Sequence, residues 1–259
     1  MNPAWLIPDW PAPVQVRSVC TTRAGGCSMA PYDSLNLGEH VGDRLSDVLT
    51  NRAILQQSIA ARPVFLSQVH GAQVLGLTSQ TQQGTLADGC ITSQPGVACT
   101  VMVADCLPVL LSNRQGSLVA AAHAGWRGLA GQGGRGILES VVERFCAFRK
   151  VDRVQAAHEM LAWLGPCIGP QAFEVGDEVR HAFVATDPAA AKLFMPTDSG
   201  KWLANLPALA RLRLQAMGVT QIFGNDGSPA WCTVSQPLRF FSHRRDHVSG
   251  RMAACIWLA

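Results

Sequence analysis

Apolar residues in this chain gather in short runs separated by glycine, proline and polar clusters, the spacing of a strand-rich domain. Val14 to Cys20 alternates apolar and polar positions and predicts a strand. Further strands are expected at Val64–Val69, Gln73–Leu77, Gly89–Thr92, Ala98–Val103, Val109–Ser112, Ser117–Ala122, Met160–Leu164 and Met252–Leu258. Helical spacing is rarer. Ser46 is positioned to cap a helix from Asp47 to about Ala60, with Val48, Leu55 and Ile59 on one face. The clearest amphipathic stretch runs from Ile137 to Phe148, where Ile137, Val141, Phe145 and Phe148 share a face. Two more helices are expected at about Gly176–Ala185 and Pro207–Met217, the second stopped by Gly218. Between Arg127 and Ile137 lies a glycine-dense loop, Gly128 to Gly136. No linker, repeat or shift of composition divides the chain. The expectation is one α+β domain spanning residues 1–259, with a mixed-sheet core.

Composition narrows the class. Hydrophobic residues make up 48% and charged residues only 15%, against about 25% charged in an average soluble protein. Extensive buried strands with few solvated helix faces follow from that balance. The formal charge of +3 carries no lysine or arginine stripe, which argues against a nucleic-acid partner. Arginine outnumbers lysine, which suits discrete anion contacts better than a diffuse basic surface. The nine cysteines are odd in number, show no C-x-x-C spacing and mostly lie within apolar runs. Reduced core thiols and a cytoplasmic setting are the expectation, since Met1 to Pro13 lacks the features of a signal peptide. No run approaches the length of a membrane span.

The densest chemistry lies at Ala121–Ala122–His123–Ala124–Gly125–Trp126–Arg127–Gly128, where an apolar run delivers a histidine, two glycines, an indole and a guanidinium. His70, in Gln68–Val69–His70–Gly71, and Cys106, in Ala104–Asp105–Cys106–Leu107–Pro108, also fall at or just beyond expected strand ends. Two imidazoles and a thiolate make a zinc triad with a fourth position open, as catalytic zinc sites keep. Copper is the chemical rival, because two His, one Cys and a weak Met describe a blue-copper site and Met102 is near Cys106 in sequence. Seven histidines are few for a multicopper enzyme, so zinc fits better. A third arrangement is a metal-free hydrolase with Cys106 as nucleophile and His123 as base.

Several motifs carry a resemblance over nearly the whole chain. These are T-R-A-G-G (22–26), S-L-N-L-G (34–38), S-Q-V-H-G-A-Q-V (67–74), A-D-C-L-P-V-L-L (104–111), H-A-G-W-R-G-L (123–129), L-G-P-C-I-G-P (164–170) and S-H-R-R-D…G-R (242–251). In these the chain resembles the YfiH family, long labelled polyphenol oxidase or laccase and now understood as purine nucleoside phosphorylases. The resemblance implies a four-layer α/β/β/α fold and a zinc site at His70, Cys106 and His123. It also implies phosphorolysis of adenosine, inosine, guanosine and methylthioadenosine, with adenosine deaminase activity besides. Two features depart from the family pattern: the lengthened loop Gly131–Gly136, and His243 where tyrosine is more usual.

Phosphorolysis needs an anion site. Arg23, Arg127, Arg244 and Arg245 are the candidates, because guanidinium forks match phosphate geometry. Asn36 and Gln68, inside their motifs, are taken with them as substrate contacts. Deamination needs a zinc able to activate water and a group to move protons; Asp105, next to Cys106, either does this or orients its neighbours. The expected partners are a nucleoside and phosphate, with neither nucleic acid nor membrane.

Overall fold

The computed structural model describes residues 2–259. In chain order its strands are β1 (Val16–Cys20), β2 (Arg62–Val64), β3 (Val74–Gly76), β4 (Gly89–Thr92), β5 (Val97–Val103), β6 (Leu107–Asn113), β7 (Val119–Ala124), β8 (Met160–Leu164), β9 (Glu174–Val175), β10 (Phe194–Pro196), β11 (Trp202–Ala204), β12 (Gln221–Gly224) and β13 (Met252–Leu258). The α-helices are α1 (Leu45–Ile59), α2 (Trp126–Ala130), α3 (Ile137–Arg149), α4 (Arg153–Glu159), α5 (Asp177–Val184), α6 (Leu206–Ala216) and α7 (His243–Asp246).

Two mixed sheets form the core, one ordered β1-β13-β5-β2 and the other β12-β8-β6-β7-β4-β3. A small third sheet, β10-β11-β9, stands apart from them. Alternation along each strand assigns the layers. In β5, Val97, Cys99 and Val101 meet Leu110, Val119 and Ala121 of the other sheet. Ala98 and Met102 point the opposite way, onto Leu55 and Ile59 of α1. In β6 and β7, Val109, Leu111, Ala120 and Ala122 face Ile137, Val141 and Phe145 of α3 and Leu209 and Leu214 of α6. The order is therefore helix, four-stranded sheet, six-stranded sheet, helices, an α+β fold in four layers. Strands covered on both faces have no polar side, which is why β5 to β7 read as near-continuous apolar runs.

One connection places the chemistry. Strands β5 and β6 are consecutive in the chain but belong to different sheets, and Ala104–Asp105–Cys106 carries the chain across the seam. Cys106 hangs from that crossover.

Several expectations shift. Strand β2 ends at Val64, and residues 65–69 leave the ladder: the Phe65 N–H is given to Gln83 Oε1 (2.7 Å), and Gln68 pairs with the main chain of Met102. Ser46 lies within α1, whose cap is Arg44, and Arg44 pairs with Asp47 through the helix's first turn. Strand β7 continues to Ala124, so His123 sits inside the strand. Residues 126–130 are helical, and the glycine-dense loop begins only at Gly131. Helix α4 and the small sheet were not foreseen; α4 starts where the Asp152 carboxylate accepts the Gln155 N–H. Among the described residues no helix is long and apolar enough to cross a membrane.

Candidate active site at the seam of the two sheets

His70, Cys106 and His123 converge, although they come from a loop, the sheet crossover and a strand. Their potential ligand atoms all lie within 4.8 Å of one another. Cys106 Sγ is 3.7 Å from His70 Nε2, and the two imidazoles meet edge to face with centroids 4.8 Å apart.

A fourth residue assembles them. Asp88, directly before β4, is fully buried, and its carboxylate accepts four N–H groups. His123 Nδ1 donates at 2.8 Å, and the main-chain N–H groups of His70 (2.8 Å), Gly71 (2.7 Å) and Val69 (3.2 Å) donate from the loop. One side chain thus fixes the His123 ring and curls the loop that presents His70. His70 itself sits at φ 61, a left-handed conformation that non-glycine residues hold only when their surroundings demand it. With Nδ1 bonded to Asp88, Nε2 is the ring nitrogen His123 turns toward its partners. Burial opposes ionisation of Asp88, but the His123 and backbone donors prevail and hold it below the usual carboxylate range.

The charges in the metal-free chain follow from this packing. Burial works against a thiolate at Cys106, yet the His123 charge and hydrogen bonds from both imidazoles bring it down to about 6. Burial likewise disfavours imidazolium at His123, but Cys106 and Asp88 raise it to about 9. The result is a thiolate beside an imidazolium, a state that a divalent cation can replace by displacing the proton.

The residues fit a metal ion on their own chemistry. One thiolate and two imidazoles are a zinc-type donor set, and the carboxylate behind His123 is the support that metal-bound histidines take. Gly125 keeps the space beside them clear. A Cβ there would stand 2.9 Å from both Cys106 Sγ and His70 Cδ2. Gly128 serves the same end from α2, since a Cβ on it would press to 2.7 Å from the Gly71 carbonyl and push the His70 loop away.

His70, Cys106 and His123 stand in the wall of a cavity of about 400 Å³. Trp126, Phe173, Ile168 and Leu206 give it apolar surface, while His40, His243, Arg244 and Arg251 give it polar and cationic groups. A second cavity of about 800 Å³ lies beyond Trp126 and His70, which belong to both walls.

Not every candidate from the sequence reaches the first cavity. Arg244 does, with Nη1 bound to the Glu174 carbonyl (3.0 Å) and its guanidinium 5.7 Å from the Phe173 ring. Gln68 also lines it, but both ends of its amide are engaged by the Met102 main chain, at 2.8 and 2.7 Å. Asp105 lines it at φ 88, with its carboxylate accepting the Thr233 hydroxyl and the Arg244 N–H, both at 2.6 Å. Arg127 stacks on Trp126, 4.4 Å from the ring, and lines the second cavity instead. Arg23 spends its guanidinium on Asp33 and the Pro237 carbonyl, and Arg245 on the Thr233, Val234 and Phe240 carbonyls and Asp246. Asn36 is buried and braces Gly38, Asp43 and the Arg251 N–H. Arg23, Arg245 and Asn36 therefore hold loops, and none of the three lines this cavity. The sulfur of Met102 meets Arg52 Nη2 at 4.0 Å, so an axial thioether beside Cys106 has no support here.

Three residues escaped the sequence reading: Asp88, His40 and Arg251. Arg251 lay in plain view at the end of S-H-R-R-D…G-R. Asp88 and His40 stand alone among turn residues, where neither periodicity nor spacing marks them.

Comparison with known proteins shows the family of the chain. Residues 17–259 match the family model described as multi-copper polyphenol oxidoreductase laccase. A purine nucleoside phosphorylase of Pseudomonas aeruginosa is 48% identical over 256 residues, covering 98% of each chain. Purine nucleoside phosphorylase YfiH of Escherichia coli is 48% identical over 255 residues, again covering 98% of both. Among solved structures, a Neisseria meningitidis protein superimposes with a TM-score of 0.87 at 46% identity, covering 98% of this chain and 99% of that one. YlmD of Geobacillus stearothermophilus does so with 0.84 at 32% identity, covering 95% and 92%.

Proposed function

The chain belongs to the YfiH family, and from that premise we propose that it is a zinc-dependent purine nucleoside phosphorylase. It acts on adenosine, inosine, guanosine and methylthioadenosine, and it also deaminates adenosine. The observation that carries this reading is the meeting of a His–Cys–His cluster with a cavity that is aromatic on some walls and cationic on others. A purine nucleoside with phosphate needs both kinds of surface, one for the flat base and one for the anion.

In phosphorolysis a phosphate oxygen bonds to the ribose anomeric carbon while the bond to the purine nitrogen breaks. The base departs with that electron pair and is protonated. The chain's residues serve these needs by position. Trp126 and Phe173 give the base aromatic surface to pack against, and the cationic wall offers donors to phosphate. Asp105 holds Arg244 at the cavity through its main-chain N–H. Bound at His70, Cys106 and His123, zinc would supply a Lewis-acid centre with one position open to substrate. All nine cysteines are free thiols, which suits work in the reducing cytoplasm.

Two other readings have an observation each. The family description favours copper-dependent phenol oxidation, and the low thiol pKa of Cys106 beside His123 favours a metal-free cysteine hydrolase. One experiment separates all three: metal analysis of the purified protein with chromatography of nucleosides incubated with and without phosphate. The expected result is about one zinc per chain, adenine plus ribose 1-phosphate from adenosine in phosphate, and inosine without it. Chelation is expected to remove both products. Activity that survives chelation overturns the zinc reading, and oxidation of phenols only after copper loading restores the laccase one.

A further inference from the structure

Arg251 occupies an unusual electrostatic position. It is half-buried in the cavity wall just before β13. Its main-chain N–H is held by Asn36 Oδ1 at 2.9 Å, and its stem crosses Gly38 so closely that a Cβ there would fall 2.7 Å from Arg251 Cγ. Nη1 donates to the Ser249 and Gly250 carbonyls. Among the described residues, Nε and Nη2 meet no acceptor, and no carboxylate pairs with the group. The acids nearby are engaged elsewhere. Asp105 serves Thr233 and Arg244, Asp43 serves Ser28 and Asn36, and Glu39 pairs with Arg52. A half-buried guanidinium bonded only to neutral carbonyls, in a cavity whose nearest carboxylates are committed to other donors, keeps a free edge for an anion entering the cavity.

His40 shares the wall. Burial first, and then the charges of Arg251 and Arg52, hold it below the usual histidine range, so near neutral pH it is an uncharged hydrogen-bonding ring. Arg127, the obvious arginine of the H-A-G-W-R-G-L motif, lies in the other cavity.

We propose that Arg251, with His40, forms the subsite that holds inorganic phosphate, using the Nε and Nη2 edge that its own fold leaves free. This rests on the phosphorylase reading for the role of the anion, but the binding itself can be tested without turnover. Calorimetric titration of the zinc-loaded protein with inorganic phosphate is the direct test. Arg251→Gln is expected to weaken phosphate binding tenfold or more. Arg251→Lys keeps the charge and the stem over Gly38 but loses the fork; it is expected to recover part of that affinity with unchanged melting. If the Gln variant fails to fold, the Lys variant decides alone, with at least threefold weaker binding expected. In turnover the KM for phosphate should rise more than kcat falls.

Phosphate bound at wild-type strength by the folded variants overturns the proposal, as does a wild-type protein that binds none. Loss of binding on Arg127→Gln with Arg251→Gln unaffected also overturns it and moves the subsite to the second cavity. If phosphate binds through Arg251 yet no ribose 1-phosphate ever forms, the subsite stands and the phosphorylase reading fails.

Discussion

Asp88 and His123 meet at 2.8 Å, carboxylate to Nδ1, with the two side chains 0% and 4% exposed. That contact sets which nitrogen His123 has left to offer, and the same carboxylate holds the loop of His70. Asp88→Asn is therefore expected to lower metal affinity roughly 10- to 100-fold, since one amide cannot accept four donors. Competition with a chromophoric chelator measures this. Unchanged affinity in a folded variant would show that Asp88 is only a loop brace.

Gly125→Ala tests the space around the cluster. The backbone there is ordinary (φ −64), so alanine fits the local conformation, yet its Cβ would sit 2.9 Å from Cys106 Sγ and His70 Cδ2. The expected outcome is a fold that melts near the wild-type temperature with metal content and activity sharply reduced. Elemental analysis beside a melting curve reads both.

Cys106→Ala removes the thiolate. Loss of nucleoside cleavage and much weaker zinc binding are expected, with the fold kept, because Cys106 is only half-buried at the sheet crossover. A variant retaining full zinc and full activity contradicts the ligand assignment.

The thiol itself can be followed by pH. In zinc-free protein Cys106 has its pKa at about 6, so at pH 7.5 it should alkylate as a thiolate. Cys255, which burial pushes up to about 12, should stay unmodified. The sign is set by the downward shift: the Cys106 rate is high above about pH 6 and falls as pH drops through that value. Peptide mapping after iodoacetamide treatment reads it residue by residue, and added zinc should protect Cys106 alone.

Much of this was legible in the sequence, for physical reasons that differ by residue. Strands β4, β8 and β13 match their apolar runs end to end, because a doubly covered strand is written in contiguous apolar residues. His70, Cys106 and His123 were marked by the motifs of the family resemblance more than by their spacing, since they lie far apart in sequence. The arginines were harder. A guanidinium's role depends on which carbonyls it meets, and no spacing marks those: Arg23 reaches Pro237 across 214 positions, while Arg245 turns back 12 positions to Thr233. Asp88 was invisible for the same reason, since its four donors come from residues 69–71 and 123.

The seam between the sheets also imposes a timetable. The crossover that presents Cys106 is steadied by β5, and β5 pairs over Cys99–Val103 with β13, near the far end of the chain. A nascent polypeptide emerging from the ribosome thus carries all three ligands long before it carries the strand that aims one of them. In the proposed zinc enzyme, a chain trimmed of β13 is therefore expected to lose its metal although His70, Cys106 and His123 all remain.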